Sequence, residues 1–126
     1  MTAVLDQASE LEKLLLEHNV TIFGYERLDQ IAVVRFILNG QKLRLVVAMP
    51  DWESDEYKLT PNRREIRSVT ERRRLYWKDV STKWRAMKNL IAAKLEGIDA
   101  GITTFESEFR QFEDAKALIT AGETQA

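Results

Sequence analysis

The dipeptide Asn39-Gly40 sits between two runs rich in β-forming residues, Ile31 to Leu38 and Gln41 to Met49, and nothing else in the chain restricts the fold as tightly. Asn-Gly readily supplies the two positive φ angles of a type I′ turn, whose twist matches that of antiparallel strands. A two-residue loop also fixes the register. Leu38 then faces Gln41, Phe36 faces Leu43, Val34 faces Leu45 and Ala32 faces Val47, which makes one face almost wholly apolar. On the other face Val33 opposes Val46, and Arg35 is set directly opposite Arg44, with Lys42 next along. Like charges directly opposed across a strand pair repel. Either an acidic side chain such as Glu26 compensates them, or the pair waits for a phosphate.

Periodicity and punctuation place the other elements. Val20 to Tyr25 is β-branched and aromatic, hence a third strand. Ser9 and Glu12 form a capping box at the start of an N-terminal helix, with Leu11, Leu14, Leu15 and His18 on one face and Asn19 as its stop. Pro50 to Pro61 reads as a polar, acidic loop. Ser68 and Glu71 form a second capping box, after which Trp77, Val80, Trp84, Met87, Ile91 and Ile98 recur at alternating spacings of three and four, interrupted by Lys94. This predicts one helix from Ser68 to Asp99, about 45 Å long at roughly 1.5 Å per residue, with Gly101 as its C-terminal signal. Thr103 and Glu106 open a further helix whose Phe105, Phe109, Phe112 and Leu118 share a face. The expectation is a single α+β domain over residues 1–121: an N-terminal helix, a three-stranded antiparallel sheet, and long C-terminal helices packed on the Phe36, Leu43, Leu45 face. Residues 122–126 read as a frayed tail.

A chain of 126 residues can bury a core of its own. It has no cysteine. Disulfide frameworks, thiolate zinc sites and cysteine nucleophiles are therefore excluded, in keeping with a reducing cytoplasm. Met1 to Glu12 lacks the layout of a signal peptide, and no window approaches a membrane span. A soluble cytoplasmic protein without membrane partners is expected.

The net charge of −1 conceals a strong polarity. Residues 58–94 carry twelve Lys and Arg against three acids, a net of +9, while 1–57 and 95–126 are each at −5. Arg74, Lys78, Arg85 and Lys88 fall on one stripe of the long helix, and Arg72 and Arg73 widen it. Such a stripe can follow a phosphate backbone by displacing counterions. Unstacked bases would also need aromatic platforms. Trp77 and Trp84 lie on the apolar stripe and read as core, which leaves Tyr76 as the exposed candidate. The same basic stripe would serve equally as a solvated face or as the partner of acidic helix residues.

Catalytic signals are weak. Pro50-Asp51 followed by Glu56-Tyr57-Lys58 has the letters of a metal-dependent nuclease motif, but the pieces lie too close together and within a loop. Asp51, Glu53 and Asp55 lack the glycine and terminal glutamate of a calcium loop. His18, the only histidine, has no evident nucleophile and reads as a partner of the helix dipole. No enzyme, metal or cofactor is expected.

The run Lys83 to Phe109, KWRAMKNLIAAKLEGIDAGITTFESEF, resembles a segment of uncharacterised small proteins encoded by bacteriophages and other mobile elements. Phe23-Gly24-Tyr25, the hairpin and Pro50-Asp51 extend the likeness over most of residues 20–110. What the resemblance implies is a viral or mobile-element setting, with no established activity. The leading expectation is a non-enzymatic accessory protein binding single-stranded DNA or RNA through Arg35, Arg44, Arg72, Arg73, Arg74, Tyr76, Lys78, Arg85 and Lys88. Two others remain open: a protein-binding inhibitor of a host defence or nucleic-acid enzyme, whose acidic flanks imitate phosphates, and a homo-oligomer assembled through the Trp77 to Ile98 stripe.

Overall fold

The computed structural model describes residues 2–28, 30–62 and 64–113. In chain order these form α1 (Thr2–Leu16), β1 (Val20–Leu28), β2 (Ile31–Leu38), β3 (Gln41–Ala48), the short α2 (Asp55–Lys58), α3 (Val69–Asp99) and α4 (Phe105–Phe109), followed by a 3-10 turn, Arg110–Phe112. The strands make one antiparallel sheet in the order β1-β2-β3. The architecture is α+β.

Asn39 and Gly40 adopt φ of 54° and 75°, the geometry of a type I′ turn. The register follows: Leu38 pairs with Gln41, Phe36 with Leu43, Val34 with Leu45, Ala32 with Val47, Val33 with Val46 and Arg35 with Arg44. β1 continues past the expected Tyr25 to Leu28, and its pairing with β2 shifts between Val20 and Ile22. That bulge changes the facing of the strand, because residues two apart otherwise share a face. Val20 is buried and Ile22 is exposed.

The inner face of the sheet carries Ala32, Val34, Phe36, Leu38, Leu43 and Leu45, all buried. Registered beside them on β1 are Phe23, Tyr25 and Arg27. The buried residues of this face, with Phe23 packed against them, join α3's Val80, Trp84, Met87 and Ile91, α1's Ala8, Leu11 and Leu15, and Phe109 in one core. The Tyr25 ring meets Trp84 edge-on at 5.1 Å between centroids.

Several expected boundaries move. α1 begins at Thr2, so Ser9 is inside it rather than capping it. Ser9 and Glu12 are both exposed, where a helical serine is tolerated with its hydroxyl in solvent. Asn19, at φ 68°, ends this region as expected, and His18 lies in the turn before it. The acidic loop contains α2, whose N-cap Ser54 accepts a hydrogen bond from the Glu56 amide. α4 is capped by Thr104 rather than opened by Thr103, its hydroxyl accepting from the Ser107 amide. It is short, and Leu118 and residues 122–126 lie outside the described residues.

α3 is continuous, with the Ser68 side chain accepting from the Glu71 amide. Its end is a Schellman motif: Gly101 at φ 76° donates to Ile98 O and Ile102 donates to Gly97 O. The buried stripe runs Tyr76, Val80, Trp84, Met87, Ile91, Leu95, so Trp77 and Ile98 are only half-buried. Strict alternation of three and four is a 3.5-residue repeat, which drifts by about 20° per heptad on a straight helix. Tyr76 and Leu95 keep the 3.6-residue phase and take the core positions. No helix among the described residues is long and apolar enough to cross a membrane.

Candidate functional site

The basic segment is largely committed to acidic partners within the chain. Arg74 donates through Nη2 and Nε to Glu71 at 2.6 and 3.2 Å. Arg67 approaches the same carboxylate at 4.0 Å. Lys88 Nζ bonds Glu10 of α1 at 2.8 Å, and Lys94 bonds Glu108 of α4 at 3.2 Å. Lys58 pairs with Glu53 at 2.9 Å and Arg64 with Asp55 at 3.2 Å. The Arg72 guanidinium lies 3.9 Å over the Trp52 ring, donates to the Trp52 carbonyl at 2.6 Å and sits 3.8 Å from Glu53. Lys58, Arg64, Arg67, Arg72, Arg74, Lys88 and Lys94 are thus seven of the twelve basic residues in 58–94, and each has an acidic partner. The polarity of the sequence is in large part a device that ties α1, the acidic loop and α4 to α3. Hydrogen bonds from the cations hold the carboxyls low: from Lys88 to Glu10, from Lys58 to Glu53 and from Arg74 to Glu71. Glu108 is lowered first by Thr103 and then by Lys94.

Arg63 lies outside the described residues, and the other four, Arg73, Lys78, Lys83 and Arg85, are exposed and without an ion pair among the described residues. Lys78 and Arg85 share the solvent face of α3, seven residues and so about 10 Å apart along the axis. Arg74 lies one turn before Lys78 on the same face. Its pair with Glu71 is exposed, and such pairs contribute little and are screened by salt. Arg73 and Lys83, each five residues from Lys78, project about 140° away at 3.6 residues per turn. Lys83 instead borders a cavity of about 340 Å³ with Met49, Pro50, Tyr57 and Asp79.

The expected site residues are therefore dispersed. Arg74, Lys78 and Arg85 come together, Lys88 is drawn to α1, and Arg72 stacks on Trp52. Arg35 and Arg44 lie on the sheet face opposite the one that α3 covers, and Arg35 Nη1 donates to Glu26 Oε1 at 2.7 Å. The acidic neighbour expected for this pair is present.

Tyr76 requires a correction. It is 6% exposed, not a free platform, because the helical phase turns it inward. Its hydroxyl accepts a hydrogen bond from Arg27 at 2.6 Å, and the rings of Trp52, Tyr57 and Trp77 pack edge-on around it.

Asp51 Oδ1 accepts from the Glu53 amide while Glu53 and Asp55 turn to Lys58 and Arg64, so these three carboxylates do not converge. No group of three or more potential metal ligands occurs among the described residues. His18 Nδ1 lies 3.1 Å from Leu14 O and Nε2 lies 3.2 Å from Asp99. The sequence reading missed the bond from the Tyr57 hydroxyl to Asp79 Oδ2, at 2.5 Å. Burial, then Asp79, pushes the Tyr57 hydroxyl above the ordinary tyrosine range. One signal was present: Asp79 is the single acid between Arg72 and Leu95. Comparison of the chain with family models, curated proteins and solved structures finds no match.

Proposed function

We propose that this is a non-enzymatic accessory protein that holds a nucleic-acid backbone on the solvent face of α3 through Lys78 and Arg85, with Arg74 exchanging Glu71 for a phosphate. The observation that carries this reading is that Lys78 and Arg85 have no ion pair among the described residues: between Arg72 and Leu95 in sequence the only acid is Asp79, and Tyr57 engages it. With Tyr76 buried, base stacking contributes nothing there, so binding is electrostatic and indifferent to sequence. Single-stranded DNA or RNA is the working ligand. A phage or mobile-element setting is part of the proposal, supported by the resemblance of Lys83 to Phe109. The inhibitor reading draws less support, since Glu10, Glu53, Asp55 and Glu108, which would imitate phosphates, are engaged by the chain's own cations.

Fluorescence anisotropy with a labelled single-stranded oligonucleotide at several salt concentrations tests it. Two or three phosphate contacts predict a log–log salt slope of about −1.4 to −2.1. The double variant Lys78→Gln, Arg85→Gln should flatten that slope by about 1.4. No binding at about 50 mM salt, or a double variant that binds like the parent, overturns the assignment.

A further inference from the structure

A cavity of about 320 Å³ opens where α2 and the loop after it meet α3. Its apolar wall is Tyr57, Leu59, Pro61 and Leu75, and its charged residues are Arg64 and Arg67 against Asp55, Glu56 and Asp79. Main-chain bonds tie the two ends of the loop together: Leu59 bridges Ile66, the Thr60 amide donates to Glu65 O at 2.8 Å, and the Arg67 amide donates to Lys58 O at 2.8 Å. The rim is thus anchored to α2 on one side and to the Ser68 cap of α3 on the other. The volume is at the lower end of the roughly 300–1,000 Å³ typical of small-molecule sites, which combine apolar walls with a few placed polar groups.

Two polar pairs in the lining are closed. Arg64 meets Asp55 at 3.2 Å, and Asp79 accepts from the Tyr57 hydroxyl. Arg67 is different. Its side chain is only 13% exposed, yet its guanidinium makes no hydrogen bond among the described residues, and Nε is buried without a partner. The Glu71 carboxylate stands 4.0 Å off, beyond hydrogen-bond reach, while Arg74 holds both its oxygens at 2.6 and 3.2 Å. A cation taken largely out of water without a hydrogen-bonded counterion is costly, and an anion that reaches it offsets that cost.

Three features narrow the ligand. The planar fork of a guanidinium matches a carboxylate, which accepts two parallel bonds. A doubly charged phosphate would face Asp55, Glu56 and Asp79 as well as Arg67, so a single negative charge suits the site better. Leu59, Pro61 and Leu75 call for an apolar body behind that charge. We propose that this cavity binds a small organic carboxylate, its carboxyl on the Arg67 guanidinium and its apolar body along Leu59 and Leu75. Leu75 and Asp79 follow Arg74 and Lys78 by one residue each, about 100° around α3. The site is therefore separate from the proposed nucleic-acid face, and holds or fails on its own.

The test is an amide chemical-shift titration of the full chain with 3-phenylpropionate and with hexanoate, each beside its uncharged amide and the matching phosphonate. The acids should shift the amides of Leu59, Arg67 and Leu75 and bind about tenfold or more tighter than their amides, as a charge-assisted bond does. Arg67→Gln should erase that preference while leaving the binding of the amides, a split that a merely structural role for Arg67 would not produce. Leu75→Ala should weaken acid and amide alike. If Arg67→Gln fails to fold, the acid-over-amide preference of the parent chain decides alone. No shift by either acid at about 1 mM, the weakest binding of interest, overturns the proposal. So do amides that bind as well as the acids, phosphonates that bind tighter than either, or shifts centred on Lys78 and Arg85.

Discussion

The two faces of the sheet are made by the same three strands yet solve opposite problems. Inward, Val34, Phe36, Leu38 and Leu43 are each at most 2% exposed against α1, α3 and Phe109, and no charged side chain intrudes except Arg27 at the margin, where it donates to Tyr76. Outward, β-branched residues alternate with Glu26, Arg35, Arg44 and Lys42, and about half of Ile22 and Val46 is open. Strand periodicity alone cannot distinguish them, because both faces are apolar enough to be a core. Coverage separates them: α3 follows one face along its length. The main buried core lies on the inner face.

The largest predicted effect tests the inner face. Trp84 is 3% exposed, meets Tyr25 edge-on and lies midway along the buried stripe of α3. Trp84→Ala should destabilise the fold by about 3–5 kcal/mol, combining lost transfer free energy with the cavity left behind. Val46→Ala, on the outer face, should stay within about 0.5 kcal/mol. Urea denaturation of the two variants measures both. Comparable losses would mean that the outer face is as much a core as the inner one, and the comparison would fail.

How far the sequence reveals this division depends on the range of the signals. The hairpin was legible residue by residue, since Asn39-Gly40 dictates both turn type and register within one short segment. The continuity of α3 and its end were legible from Ser68 and Gly101 for the same reason. Tyr76 was misplaced because two readings of the apolar stripe differ by one residue at the helix start, and only contact with Trp52, Tyr57 and Arg27 decides between them. The bulge after Val20 hid Ile22 from the outer face, as one extra residue inverts the facing of everything before it. The partners of the basic residues were illegible individually. Lys88 and Glu10 are 78 positions apart, and composition shows only that acids and bases balance.

A smaller effect sharpens the account of the outer face. Glu26 separates two readings of the Arg35 and Arg44 opposition, because its carboxylate holds Arg35 at 2.7 Å with both side chains about half exposed. Glu26→Gln should lower stability by about 0.5–1 kcal/mol, the range for a cross-strand pair, by removing the attraction to Arg35. Adding Arg44→Gln should return part of that loss, and a double-mutant cycle by thermal melting isolates the coupling. Strict additivity would remove the repulsion from the argument. In that case the two arginines are accommodated by their other neighbours.

The smallest effects belong to the pairs that fasten the acidic flanks to α3. Glu10, Glu53, Glu71 and Glu108 are each held below the ordinary value of 4.5 by bonds to Lys88, Lys58, Arg74, and Thr103 with Lys94. A carboxyl with a lower pKa in the folded state binds fewer protons than in the unfolded chain at a pH near 4.5. Stability from these groups is therefore complete above that value and declines as the pH falls through it toward the folded values. Thermal melting across the acid range should show this decline, and Glu10→Gln should make it shallower by removing one of the four groups while lowering stability slightly above pH 5 or so. The apolar seam between α3 and the sheet does not titrate and should persist through the same range. If the variant's acid profile matches the parent's, the Lys88–Glu10 bond does not join α1 to α3 in solution. Lys88 would then be available to extend the row of Arg74, Lys78 and Arg85, and the oligonucleotide salt slope should be steeper than three phosphate contacts allow.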